Sequence, residues 1–146
     1  MAPEVPESDA SLTCRRYGAR VPTISLVLAA LAGLLHVGFF LMESVLYRRP
    51  AVHRAFGVRT DAEVEATAFA MFNQGFYNLF LAVGTLVGVV GTAADWEPQG
   101  PVLVVFGCAC MVGAAVVLVA GRPAMARGAA IQGVLPALAL LTAAVL

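Results

Sequence analysis

Four apolar runs, each about the length of a membrane span, leave this chain few folds to choose from. They cover Val21–Tyr47, Ala66–Ala94, Val102–Ala120 and Gly128–Leu146. A helix of roughly 20 residues spans the hydrocarbon of a bilayer. Strands are excluded, because an open sheet cannot satisfy its backbone in lipid and a barrel needs more strands than 146 residues supply. Composition agrees: 60% of residues are hydrophobic, 12% are charged, and mean hydropathy is +0.87. Soluble domains carry about a quarter charged residues. The expected fold is all-α, a polytopic transmembrane four-helix bundle with the lipid bilayer as its first partner. Net charge is zero, which argues against nucleic acid as a partner.

Two parts follow from this pattern. Residues 1–20 are polar and contain Pro3, Pro6 and three arginines, as a flexible tail does. Residues 21–146 form the membrane domain. Arg15-Arg16 resembles a targeting signal, but the apolar run after it is too long for a cleavable one, so a retained helix is expected. Thr60-Asp61-Ala62-Glu63 fits a capping box at the start of the second span. The first loop holds Arg48, Arg49, Arg54 and Arg59, and the third holds Arg122 and Arg127. The positive-inside rule puts those loops in the cytoplasm and both termini outside. Every basic residue is arginine, the mark of a GC-rich genome. Of Cys14, Cys108 and Cys110, the last two lie in an apolar span with neither metal nor redox spacing, and read as packing residues.

Glu43 is the outlier in the first span. A carboxylate there costs about 3 kcal/mol on insertion scales, so it must face protein, water or a partner. His36 lies seven residues earlier on the same helical face. In the second span Asn73, Gln74, Tyr77, Asn78, Gly84, Thr85, Gly88 and Gly91 read as one side. Gly84 and Gly88 make a GxxxG pattern, which permits a homodimer packed through them. In the fourth span Gln132 shares a face with Pro136 and Ala139. Counted at about 1.5 Å per residue, Glu43, Asn73, Gln74 and Gln132 fall in the cytoplasmic leaflet, with His36, Tyr77 and Asn78 deeper. One polar chamber fed by three spans is the expectation, with the third span as a packing wall.

Plainer readings stand beside this one. Gln74, Asn78 and Gln132 also serve as interhelical glue, worth roughly 0.6 kcal/mol per bond. Glu43 also snorkels to Arg48 or Arg49. His36 and Glu43 are about 10 Å apart along the axis, so a substrate, a water or an amide must bridge them. One His and one Glu are too few for a metal site. The sequence has no nucleotide loop, no Ser-His-Asp set and no haem-attachment motif, so no metal and no cofactor are expected.

Several of these residues lie in blocks that resemble a known family. The blocks are Leu35-His36 with Glu43, Arg54-Ala55-Phe56-Gly57, Asn73-Gln74-Gly75-Phe76-Tyr77-Asn78-Leu79-Phe80-Leu81, and Gln132-Gly133-Val134-Leu135-Pro136-Ala137. They are similar to small bacterial integral membrane proteins of the domain-of-unknown-function family thirteen-oh-four. The resemblance implies a four-helix membrane protein whose signature residues are these polar ones, and it implies no activity.

The functional expectation is a membrane-embedded site for a small lipophilic molecule, with acid-base chemistry. Glu43 transfers the proton, His36 and Asn73 assist, and Gln74, Tyr77, Asn78 and Gln132 bind the ligand. Isomerisation, cyclisation or epoxide opening of an isoprenoid-like lipid suits a carboxylic acid in hydrocarbon. The rivals are proton-coupled or small-solute transport and a structural or accessory membrane subunit.

Overall fold

The computed structural model describes residues 21–146. The tail of residues 1–20, with Arg15-Arg16 and Cys14, lies outside the described residues. The elements are α1 (Thr23–Phe40), a π-helical turn (Leu41–Val45), α2 (Pro50–Ala55), α3 (Asp61–Ala93), α4 (Gln99–Gly121), a 3-10 turn (Pro123–Met125) and α5 (Ala126–Val145). Among the described residues there is no strand.

Four helices are long and apolar enough to cross a membrane, and the chain is a multi-pass membrane protein. α1 and its π turn make one span of 23 residues, and α3 alone makes one of 33. Five of its extra residues precede the apolar run, from Asp61 onward. The capping box sets that start. Thr60 Oγ1 accepts from Glu63 N at 3.3 Å, while Glu63 Oε2 accepts from Thr60 N at 3.0 Å. Two of the first turn's orphan N–H groups are thereby satisfied. Thr60→Ala is expected to cost about 1 kcal/mol in detergent unfolding, and Thr60→Ser to restore most of it.

Packing closes the long helices into a ring. α1 packs against α3 and α5, and α4 packs against the same two, so α1 lies diagonal to α4 and α3 diagonal to α5. The interior is lined by small side chains, among them Ala29, Ala32, Ala82, Cys108 and Ala139, with Met111 the largest fully buried one. Large apolar residues such as Leu34, Phe80 and Val117 face outward. Small residues bring backbones together where lipid rather than water surrounds the bundle. Gly88 belongs to this pattern. A Cβ there would meet Leu103 Cβ and Val104 N at 2.8 Å, so Gly88 is spent on the α3–α4 crossing inside the chain. Gly84, by contrast, has nothing within 4 Å of such a Cβ.

The first loop is folded rather than open. Pro50 starts α2, where its fixed φ suits a first helical turn. His53 is buried, and its Nδ1 lies 2.9 Å from Val58 O. Tyr47 is buried too, its hydroxyl 2.6 Å from Thr67 Oγ1. The His53 contact closes the arginine-rich loop on itself, and the Tyr47 contact ties its start to α3.

Candidate functional site

The site forms where α1 gives way to its π turn. Leu46 N donates to Leu41 O at 2.8 Å, five residues back, so the last turn holds one residue more than an α-turn. Single π turns recur at functional sites, and this one contains Glu43. The side chain points into the protein and is nine-tenths buried. Asn78 Nδ2, also buried, donates to Glu43 Oε2 at 2.7 Å. On the next residue Ser44 Oγ donates to Phe72 O at 2.8 Å. Two adjacent positions of the π turn thus bond to α3.

Gly75 makes that approach possible. A Cβ at position 75 would lie 3.0 Å from Ser44 N and 3.2 Å from Glu43 Cβ, with Ser44 Oγ closer still. The glycine of the Asn-Gln-Gly block is therefore the seat on which the π turn rests.

Glu43 does not snorkel to the arginines. Arg48 forks onto Glu65 of α3, with Nη2 to Oε2 at 3.1 Å and a second bond from Nη1 to Oε1. The pairing holds the Arg48 guanidinium even more firmly protonated than an isolated arginine. Both side chains are exposed, so the pair is a solvated clasp between the loop and α3.

His36 is fully buried on the same side of α1. Its Nδ1 donates to Ala32 O at 2.9 Å, which leaves Nε2 as the acceptor of the neutral ring. Phe39 packs edge-on against the imidazole at 5.5 Å. Two more buried hydroxyls lie deeper in the bundle. Ser25 Oγ donates to Ala139 O at 2.7 Å, and Thr85 Oγ1 is a buried polar atom with no partner among the described residues.

Other expected members of the chamber lie elsewhere. Asn73, Gln74 and Tyr77 are exposed on the outside of α3. Asn73 and Asn78 are five residues apart, which separates them by about 140° around a helix. Only Asn78 shares the inward stripe of Gly75, Ala82 and Thr85. Gln132 is half-buried on α5, which is diagonal to α3 across the bundle. The expectation that amides from three spans meet in one chamber is corrected accordingly: the carboxyl–amide pair is made by α1's π turn and α3.

Beside that pair lies a cavity of about 440 Å³. Glu43 and Ser44 line one side, Phe69 and Phe72 the other, with Tyr47, Arg48 and Glu65 among the remaining lining residues. Sequence reasoning named Glu43 and missed the others. Tyr47 and Phe72 carry no signal alone, because an aromatic at the end of a span is commonplace. Among the described residues no cluster of three His, Cys, Asp or Glu side chains could hold a metal ion. The lining is mixed, with Glu43, Ser44, Tyr47, Arg48 and Glu65 beside the apolar Val45, Ala68, Phe69 and Phe72.

A family model described as "Protein of unknown function (DUF1304)" matches residues 30–144. No curated protein and no solved structure matches the chain. The matched stretch takes in His36, the π turn with Glu43, Gly75, Asn78, all of α3 and α4, α5 up to residue 144 and α1 from residue 30 onward, and the chain belongs to the DUF1304 family.

Proposed function

We propose that the cavity beside Glu43 holds a small lipophilic molecule and that Glu43 exchanges a proton with it. One observation carries the reading: a nine-tenths buried carboxyl lines a cavity and is held by a neutral amide rather than by a cation. A purely structural carboxyl in a membrane helix is expensive, and a leucine would pack the same space without that cost. Asn78 fixes one carboxyl oxygen and leaves the other for the ligand. Acid-base chemistry on an isoprenoid-like lipid, by isomerisation, cyclisation or epoxide opening, suits a carboxyl in these surroundings. In this reading the cavity opens at the cytoplasmic side. His36 acts at a distance, through a ligand long enough to reach it.

Organic extraction of the purified protein followed by mass spectrometry tests this. A defined small molecule at near one copy per chain is expected from the wild type, with a several-fold loss from Glu43→Gln. Identical extracts from both proteins would overturn the reading.

A second reading is proton-coupled transport. It is favoured by further buried polar side chains on α1 and α3, namely His36, Thr85 and Ser25. Glu43-dependent flux in proteoliposomes separates transport from chemistry confined to the cavity.

A further inference from the structure

The cavity is uneven in charge. Three ionisable side chains line it, Glu43, Arg48 and Glu65. Arg48 and Glu65 bind each other through two bonds and cancel. Glu43 is then the one ionisable lining group without an opposite charge beside it, because its hydrogen-bond donor is the neutral amide of Asn78. Its second oxygen, Oε1, has no partner among the described residues. Three aromatic rings, Tyr47, Phe69 and Phe72, share the lining. Aromatic faces attract cations, ammonium groups above all, and do so more weakly at exposed rings such as Phe69 and Phe72 than at buried ones.

We propose that this cavity takes a lipophilic organic cation, an ammonium or phosphonium centre on a hydrocarbon body, with Glu43 as its counter-charge. The inference rests on the reading that the cavity is the ligand site, and it names the ligand class. An anion would meet a guanidinium already neutralised by Glu65, beside a second carboxyl. A neutral molecule would bring no charge to replace the proton of the carboxyl. A cation satisfies the carboxylate and the rings together, while its hydrocarbon body stays against Phe69 and Phe72. Binding to the protonated carboxyl exchanges one positive charge for another: the O–H bond breaks, the proton leaves to solvent, and the carboxylate keeps the electron pair and faces the bound cation. Other groups that face Glu43 do not take over this role. Arg48 and Glu65 are paired, the His36 imidazole is bonded to Ala32 O one face-turn deeper, and α4 and α5 place no charged side chain on the lining.

Three probes of similar bulk separate the possibilities: tetraphenylphosphonium, neutral triphenylphosphine oxide and tetraphenylborate. Each is titrated into the purified full-length protein in micelles by calorimetry, with proton release read in weak buffer. The expected result is saturable phosphonium binding at least tenfold tighter than that of either other probe, with a proton released on binding. Glu43→Gln should abolish the release and weaken the phosphonium at least tenfold, while eluting as the wild type does on size exclusion. Phe72→Leu keeps an apolar side chain and removes the ring, and should weaken the phosphonium about threefold without changing the oxide. Equal phosphonium binding by wild type and Glu43→Gln would overturn the inference. Oxide binding that is tighter and depends on Glu43 would overturn the preference for a cation and leave the ligand site standing. Failure of all three probes to bind would remove both.

Discussion

Gly75→Ala is expected to destabilise the protein by about 2 kcal/mol, the range of an overpacked core, and to part Glu43 from Asn78. The added methyl would fall 3.0 Å from Ser44 N and 3.2 Å from Glu43 Cβ, and closer to Ser44 Oγ. The hydroxyl can turn aside, but only by giving up its bond to Phe72 O. The backbone nitrogen cannot turn aside, so the π turn must move off α3. Gly84→Ala provides the control. Nothing lies within 4 Å of a methyl there, and alanine gains about 1 kcal/mol of helix propensity over glycine. Thermal unfolding in one detergent should therefore place the two variants on opposite sides of the wild type. Matching midpoints would mean that the close approach at Gly75 contributes nothing to stability.

Whether a feature was legible in the sequence follows from how far apart its causes lie. Each span is a sum over some 20 residues, so single errors do not erase it, and all four runs reappear as helices. The capping box is legible because its partners are three residues apart and bond within one turn. Glu43 stood out by cost alone, which needs no knowledge of neighbours. The π turn did not. It depends on how α1 meets Gly75 of α3, and no local pattern in Leu41–Val45 announces it. The inward face of α3 was blurred for another reason. Grouping its residues by polarity put Asn73 with Asn78, whereas angle puts them on different sides. Arg48 and Glu65 are 17 residues apart, joined across a loop whose helix α2 was not anticipated. What the sequence withheld is the set of contacts between elements, and the cavity is built from those.

The exchange of both members of the buried pair is expected to reveal what the pair is for. Asn78→Leu leaves the Glu43 carboxyl without its donor in a nine-tenths buried position. Stranding a buried polar group costs about 1–3 kcal/mol. Glu43→Leu strands the Asn78 amide in turn, at a similar cost. The double variant strands nothing and fills the space with hydrocarbon. Replacing a buried polar pair by apolar groups is often neutral or stabilising, so it should unfold at or above the wild-type midpoint. The single effects then fail to add, by an amount that measures the coupling of carboxyl to amide. Simple addition of the two losses would mean that the bond of 2.7 Å contributes no coupling energy in the folded protein. The same double variant should retain no small molecule through purification. A protein that folds as well without the pair, and binds nothing, keeps Glu43 and Asn78 for the cavity rather than for the bundle.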